Sequence, residues 1–315
     1  MLVLTSRWSK QFFGLLRLMR PLPVMAWGGG AVMLGTALSV AEQQVLFSWS
    51  DLVLPILGVL LLQGIAAHAF NDWEDWQSGT DQTSPGILSG GSKALTLNLL
   101  TCSQVLGLGK ISIFAVLLLT IYLFLNYDPL ILIFPAAGIW AALAYTCPPL
   151  RLAYKPLLGE WLAAWPAMVA CTLGTNFLLA GNISNLAWWV GCLHATLSIA
   201  WLMQHHLPDI TADLAALPAK YTTVAYIQQR WGWRYTVLPA ACYFIIAIIA
   251  AIFAVSFHPG FLFSIVAGIL GLRLALATNP QDIQDITQKQ IEMMLVSMLH
   301  FCLLSLSLWM FPSLN

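Results

Sequence analysis

Acidic side chains form two short groups in this sequence. One group lies in segment 71–81 and the other in segment 209–213. Within each group two aspartates are spaced i, i+3 or i, i+4, so they share one face wherever a helix continues through them. Oxygen ligands of this kind suit Mg²⁺, which keeps several waters and is usually completed by substrate phosphates. The candidate metal ligands are Asn71, Asp72, Asp75, Asp209 and Asp213.

Any one of these aspartates could instead be an ordinary acid at a helix end, solvated at a membrane surface. Two spaced pairs that face each other would bring four carboxylates together without a nearby Lys or Arg. Carboxylates this close need a cation between them. Carboxylates at membrane depth are costly and occur mainly where they line a polar cavity or bind an ion. Metal ions together with basic side chains are what a departing diphosphate requires. We therefore expect a diphosphate site.

The chain around these groups is strongly apolar. Of its 315 residues, 59% are hydrophobic and 8% are charged, whereas soluble domains carry about 25% charged residues. Apolar stretches long enough to cross the hydrocarbon layer recur along the chain. We predict nine spans, near 22–41, 52–70, 110–127, 129–146, 157–180, 186–207, 235–256, 259–278 and 291–311. Merging the seventh and eighth would leave eight, but Pro259 and Gly260 favour a turn between them.

The basic residues support this division of the chain. Nine spans place all 13 Lys and Arg residues on one side of the membrane. The positive-inside rule makes that side cytoplasmic, with the N-terminus inside and the C-terminus outside. We therefore predict an all-α polytopic membrane protein, a single domain of residues 1–315 with nine transmembrane helices around a central cavity and a cytoplasmic N-terminus. Its cytoplasmic motif loops lie near 71–93, 147–156 and 208–234.

Several motifs resemble the UbiA superfamily of intramembrane prenyltransferases, over nearly the whole chain. The main ones are Asn71-Asp72-x-x-Asp75 with the later Asp81, and Pro208-Asp209-x-x-x-Asp213. The others are Arg20-Pro21, Ser89-Gly90-Gly91-Ser92, Tyr145-x-x-Pro148-Pro149-Leu150-Arg151-Leu152 and Gly159-Glu160. The Tyr–Pro-Pro–Arg segment and the spacing to Asp81 favour the branch that prenylates 1,4-dihydroxy-2-naphthoate in menaquinone synthesis. Relatives usually carry a basic residue soon after the first motif, whereas none precedes Lys93 here.

The resemblance implies two Mg²⁺ ions bridged by the substrate diphosphate. One ion would be held by Asn71, Asp72 and Asp75 and the other by Asp209 and Asp213, with Asp81 at the cavity rim. The implied diphosphate cations are Arg151 and Lys155, with Lys93 or Lys220. The electron-rich rings of Tyr145 and Tyr154 could stabilise an allylic cation or orient the acceptor.

The resemblance predicts Mg²⁺-dependent transfer of a prenyl group from a polyprenyl diphosphate to a small aromatic acceptor in quinone biosynthesis. The favoured acceptor is 1,4-dihydroxy-2-naphthoate, which would lose CO₂ during the transfer. The expected partners are these two substrates and membrane lipid, without nucleic acid. The expected location is the cytoplasmic (inner) membrane of a bacterium, with the active site facing the cytoplasm.

Other functions stay open at this point. The same fold could use a hydroxybenzoate, lipid or porphyrin acceptor, or cyclise an isoprenoid without any acceptor. A cation-coupled transporter is a more distant alternative. Transporters place charged residues near the bilayer midplane or show inverted repeats, whereas the acidic groups here lie at the predicted membrane edge. The pair His205-His206 beside Asp209 could supply a general base for an acceptor hydroxyl, or it could cap the helix or face solvent.

Overall fold

The computed structural model describes residues 7–43 and 48–311. Residues 1–6 and 312–315 of the predicted domain lie outside this part, as does the side chain of Arg7. Within the described ranges the chain is helical and contains no β-strand. The apolar helices are α1 Trp8–Glu42, α2 Trp49–Ser78, α3 Cys102–Asn126, α4 Pro129–Ala144, α5 Glu160–Ala180, α6 Asn185–Ala215, α7 Trp233–Ala254, α8 Phe261–Ala277 and α9 Ile283–Met310.

These helices confirm the all-helical membrane architecture. Seven of those in the described ranges are long and apolar enough to cross a membrane. The other two, α4 and α8, are shorter than 18 residues, and a span normally needs about 20. They occupy the predicted segments 129–146 and 259–278.

The helices pack as a bundle whose centre is formed by α1 and α6. Helix α6 packs against α5, α7 and α9, and α1 packs against α5, α6 and α9. Helices α2, α3 and α4 contact one another on the remaining side. Large apolar side chains such as Ile111, Phe114 and Ile249 are exposed on the outer surface. An outer surface of this kind suits lipid, where no water needs to be excluded.

Three of the helices contain π-helical turns, which the hydropathy pattern does not reveal. These turns are Met25–Gly29 in α1, Leu60–Ala67 in α2 and Glu160–Ala164 in α5. Each contributes residues to the wall of the same internal cavity, among them Trp27 and Leu62. A π-helical turn inserts an extra residue and so rotates the face that follows it, which is why such turns are frequent at functional sites.

The contact between α1 and α5 depends on a glycine. A Cβ atom at Gly35 would lie 2.5 Å from the carbonyl oxygen of Thr172 and 2.8 Å from the Cβ atom of Thr175. Both are closer than van der Waals contact allows, and a backbone oxygen cannot move aside as a flexible side chain can. Small residues let membrane helices approach closely, and Gly35 has this role here.

We expect Gly35→Ala to destabilise the protein. Overpacking of a tight contact typically costs about 1–3 kcal/mol, so the apparent melting temperature in detergent should fall. The matched control is Gly107→Ala in α3, because nothing lies within 4 Å of a Cβ atom at Gly107. An alanine there should be neutral or stabilise the helix by about 0.5–1 kcal/mol. Equal melting temperatures for the two variants, measured by tryptophan fluorescence, would contradict the close contact.

Candidate active site

The two aspartate groups meet at one end of the bundle. Helix α2 continues through Asp72 and Asp75 to Ser78, as the i, i+3 spacing predicted. Asp209 ends a 3₁₀ turn in α6, and Asp213 lies in the α-helical turn that follows. All four carboxylates are buried, with exposed fractions between 1% and 7%. We call this the acidic end of the bundle.

Two basic side chains neutralise these carboxylates. The Lys220 Nζ atom lies 2.6 Å from Asp75 Oδ2 and 3.9 Å from Asp213 Oδ1, so it bridges the two groups. The Arg20 guanidinium donates to Asp72. The expectation that no Lys or Arg lies near the carboxylates was therefore wrong, because buried charges of one sign require partners.

The charge state of Lys220 follows from its two partners. Burial lowers its pKa, but the carboxylates of Asp75 and Asp213 raise it by more, and the net pKa lies above the ordinary value. The ammonium group therefore stays protonated. The backbone of Lys220 makes a further contact, because Lys220 N donates to the carbonyl oxygen of Asp213 at 2.8 Å. Lys220 thus holds both aspartate groups from one position.

The segment 84–92 closes the space between the two groups. Asp209 accepts hydrogen bonds from the hydroxyls of Ser84 and Ser89 and from Gly90 N. At the other end of the segment, Ser92 N donates to Asp72 Oδ2 at 3.0 Å. The loop is thus attached to one carboxylate of each aspartate group.

A glycine in this loop makes room for a further carboxylate. Gly91 has a φ of +75°, and a Cβ atom there would lie 2.1 Å from Asp81 Oδ2. Asp81 is buried and lies on the wall of the cavity described below. Burial, followed by the charges of Asp75 and Asp72, raises the pKa of Asp81. The carboxylate therefore lies where a divalent cation would stabilise its charged form.

An internal cavity of about 310 Å³ begins at the acidic end. Asp75, Asp209 and Lys220 line its polar part. Its remaining wall is largely apolar and reaches Leu54 in α2 and Leu178 in α5. Leu54 precedes Asp75 by 21 helical residues (75 − 54), which corresponds to roughly 30 Å. A ligand with a charged head and a long apolar tail matches a cavity that has a polar end and a long apolar wall.

Three of the predicted diphosphate cations do not line this cavity. Arg151 binds the Glu74 carboxylate at 2.9 Å and lies over the Tyr154 ring. Lys155 is exposed to solvent. Lys93 directs its Nζ atom toward the carbonyl oxygen of Ser84, at 3.5 Å. The role of Arg151, Lys155 and Lys93 at a diphosphate therefore stays a prediction.

The remaining predicted residues lie at or beside the acidic end. Asn71 Nδ2 donates to Asp75 Oδ2 at 2.9 Å, and the Tyr154 hydroxyl donates to Asp75 Oδ1 at 3.3 Å. Tyr145 lines the cavity, and its hydroxyl lies 3.3 Å from His206 Nε2. His206 and His205 are both 9% exposed, so the alternative that they face solvent was wrong.

Some residues of the site were not among the predicted ones. Arg20 belonged to a recognised motif, but its partner lies 52 positions away. His68 lies within an apolar stretch, one turn before the first aspartate group, and lines the cavity. Ser89 and Ser92 belonged to a recognised motif but had no predicted role, and Ser84 carries no charge and gave no signal.

The residues at the acidic end fit Mg²⁺ as an ion that the substrate completes. Their donor atoms are carboxylate and amide oxygens, which Mg²⁺ prefers. In the described ranges, no three His, Cys, Asp or Glu side chains converge closely enough to hold a metal by themselves. One oxygen, Asp213 Oδ1, is buried without a hydrogen-bond partner. Waters and phosphate oxygens ordinarily supply the missing ligands of this ion.

Two solved structures share this architecture. Both are of a UbiA homolog from Archaeoglobus fulgidus, one bound to DMAPP and Mg²⁺ and the other to GPP and Mg²⁺. The first superposes with a TM-score of 0.62 at 11% identity, covering 91% of this chain and 99% of that chain. The second has a TM-score of 0.59 at 12% identity, covering 94% of this chain and 99% of that chain. Identities this low establish the fold alone.

The sequence itself identifies the family. No curated protein gives a significant match to the whole sequence. The model of the UbiA prenyltransferase family, however, matches residues 31–303, a range that includes both aspartate groups and the whole of the cavity apart from its first few residues. The naphthoate branch is not distinguished by this match. The chain therefore belongs to the UbiA prenyltransferase family, and it is a membrane enzyme of that class.

Proposed function

We propose that this enzyme transfers a prenyl group from a polyprenyl diphosphate to an aromatic acceptor, with 1,4-dihydroxy-2-naphthoate as the acceptor. One observation carries the proposal. Carboxylates from α2 and α6 meet around Lys220 at the polar end of a long apolar cavity. The polar end suits a metal-bound diphosphate, and the apolar part suits an isoprenoid tail.

The proposal assigns two Mg²⁺ ions to the two aspartate groups. Asn71, Asp72 and Asp75 would hold one ion, and Asp209 and Asp213 the other. When bound, Mg²⁺ offsets the negative charge that develops on the departing diphosphate. Asp81 adds a further carboxylate at the cavity wall.

Arg20 and Lys220 are the cations of the cavity wall that would face the diphosphate. Each is bound to a carboxylate of the metal-binding groups. The Mg²⁺ ions that accompany the diphosphate would compete with Arg20 and Lys220 for these carboxylates. The two basic side chains would then be free to bind phosphate oxygens. Arg151 has a supporting position, because it fixes Glu74 beside this cluster.

The acceptor step requires little proton transfer from the protein. The allylic C–O bond breaks first, and its electron pair leaves with the diphosphate. The electron-rich naphthoate ring then attacks the allylic carbon at the position that bears the carboxylate. The carboxylate then leaves as CO₂, and the electron pair of its C–C bond restores aromaticity. A hydroxyl proton removed to activate the ring would return to the same oxygen, so no net proton is lost. Positioning of the two substrates would supply much of the rate, and Tyr145 lines the cavity where it can orient the ring.

The proposed topology has nine membrane spans, with the N-terminus and the acidic end on the cytoplasmic side of a bacterial inner membrane. Seven long apolar helices and the shorter α4 and α8 support this number. The placement of the basic residues supports the orientation. A cytoplasmic acidic end would give water-soluble acceptors and released diphosphate access to the site.

Removal of the divalent cation should abolish turnover. Purified enzyme with a prenyl diphosphate and 1,4-dihydroxy-2-naphthoate should form product in Mg²⁺ and none in excess EDTA, because Arg20 and Lys220 alone cannot offset the charge on the leaving group. Readdition of Mg²⁺ should restore the rate, which serves as the control for irreversible damage. Full turnover in excess EDTA would rule out the proposed mechanism.

Neutral substitutions of the aspartates should show which carboxylates are needed for turnover. Asp→Asn at positions 72, 75, 209 and 213 should each reduce turnover at least about a hundredfold, because each weakens a ligand of the Mg²⁺ ions that would offset the charge on the departing diphosphate. The matched control is Asp282→Asn. Asp282 caps α9 by accepting from Gln284 N and Asp285 N, and asparagine keeps this cap. If the four variants behave like Asp282→Asn, the site is elsewhere.

The stoichiometry of the products should identify the acceptor class. With 1,4-dihydroxy-2-naphthoate, diphosphate and CO₂ should appear in a one-to-one ratio. A hydroxybenzoate-type acceptor would keep its carboxylate, and a cyclase would release diphosphate with no acceptor present. Measurement of both products, with an acceptor-free reaction as control, separates these cases. Diphosphate release without equal CO₂ would reject the naphthoate acceptor and leave the prenyl diphosphate site intact.

A further inference from the structure

Helix α1 consists of two parts. It is interrupted at Arg20, whose φ of +45° lies in the left-handed region, and Pro21 begins the next turn. The whole of α1, Trp8–Glu42, has 35 residues and would be about 50 Å long, whereas the hydrocarbon layer is about 30 Å thick. The part after Arg20 is long enough to cross this layer by itself. We call the part before it, Arg7–Met19, the N-terminal segment.

One face of the N-terminal segment packs on the protein. Leu18 is fully buried and lies in one apolar cluster with Leu100. A Cβ atom at Gly14 would lie 2.6 Å from Leu100 Cγ. The segment ends at Arg20, which donates to Asp72. These contacts place the segment beside the acidic end, at the edge of the bundle.

A second face of the segment is apolar and exposed. Trp8, Phe12 and Leu16 follow one another at intervals of four residues, so they share one side of the helix. Their exposed fractions are 82%, 59% and 41%. Transfer of such side chains out of water is favourable, and tryptophan is enriched where lipid meets water. We call these three residues the apolar stripe, and no side chain of the described residues covers it.

The third face is basic. Lys10 and Arg17 are both exposed. With 3.6 residues per turn, they lie roughly 150° around the helix from Phe12, at the centre of the apolar stripe. The segment contains no Asp or Glu. Neither cation forms an ion pair with a described residue, so both are available to an external anion.

The arrangement of these faces fits the surface of a lipid bilayer. An amphipathic helix at such a surface lies in the plane of the interface, with its apolar side toward the acyl chains and its basic side toward the headgroups. Basic residues next to a membrane are attracted to anionic lipids, and zwitterionic lipids offer no comparable net charge. A second copy of the chain would cover the apolar stripe but would leave Lys10 and Arg17 without an anion.

We propose that the N-terminal segment is a membrane-surface anchor that binds anionic phospholipid. The apolar stripe enters the boundary between headgroups and acyl chains, and Lys10 and Arg17 bind headgroup phosphates. The match to the family model begins only at residue 31, so this anchor lies outside the matched range. The anchor is additional to the proposed prenyl transfer and does not depend on it.

The first test compares two faces of the segment. Phe12→Cys and Lys10→Cys are each placed in nanodiscs that contain phosphatidylglycerol and one copy of the protein, and are treated with a membrane-impermeant maleimide. Peptide mass spectrometry separates the new site from the six native cysteines. Lys10→Cys should be labelled and Phe12→Cys protected, because the apolar stripe is in lipid. Both should react equally after denaturation. Equal labelling in nanodiscs would overturn the proposal.

The number of copies in each nanodisc separates the bilayer from a second copy of the chain. Protection of Phe12→Cys in single-copy discs comes from lipid, since no other copy is present. If Phe12→Cys is labelled in single-copy discs and protected only in discs with two copies, the apolar stripe is a dimer contact and the proposal fails.

The second test concerns the lipid headgroup. Phosphatidylglycerol and phosphatidylcholine probes, each with a diazirine in the headgroup, are compared in the same nanodiscs, and cross-links to the N-terminal segment are measured by mass spectrometry. The wild-type segment should favour phosphatidylglycerol. Lys10→Gln and Arg17→Gln should each lower this preference about fivefold, as expected for one basic side chain at a membrane surface. The matched control Lys289→Gln should keep the preference, because Lys289 is already paired with Glu292.

Two outcomes of the second test would reject anionic lipid binding by the segment. One is equal cross-linking of both probes to the wild-type segment. The other is a loss of preference in Lys289→Gln as large as in Lys10→Gln and Arg17→Gln, because total charge would then be the cause. The wild-type comparison needs no substitution, so it decides even where a variant fails to fold. Prenyl transfer is measured separately in the same discs, and its absence would leave both results on the anchor valid.

Discussion

The structure depends on the compensation of buried negative charge at one end of an apolar bundle. Asp75 and Asp213 come from helices far apart in sequence, and both are close to fully buried. An unpaired carboxylate in such a place would cost several kcal/mol. Lys220 contacts both, and this single ammonium group therefore joins α2 to α6 at the acidic end. The same contact places a positive charge between carboxylates of the two aspartate groups.

Other features of the acidic end follow from this constraint. Asp209 accepts three hydrogen bonds from segment 84–92, and an ionised carboxylate offers about four lone-pair directions. A metal bound to Asp209 would thus take the remaining direction or replace a loop donor. The loop is attached to Asp72 as well through Ser92. The loop therefore connects the two aspartate groups structurally.

The sequence predicted the parts that depend on local spacing. Apolar stretches predicted the helices, and the i, i+3 spacing predicted the common face of Asp72 and Asp75. The cation partners could not be predicted, because hydropathy gives no rotation of one helix relative to another. Arg20 lies 52 positions from Asp72, and Lys220 lies 145 positions from Asp75. The π-helical turns could not be predicted either, because they change the direction of a helix face without changing the amino-acid composition. The contact of Arg151 with buried Glu74 could not be predicted either, because its motif gives no partner in another segment.

The cavity separates two kinds of specificity. Carboxylates and paired cations at its polar end would recognise charge, and in the proposed function a polyprenyl diphosphate of any length would present the same charge there. The apolar wall toward Leu54 and Leu178 excludes water and offers no site for an ion, which is why the arrangement suits an amphipathic substrate better than a transported cation. A solved structure with the same fold at 11% identity leaves room for most side chains of this wall to differ. In the proposed transfer, such differences on the wall would change the acceptor without changing the fold.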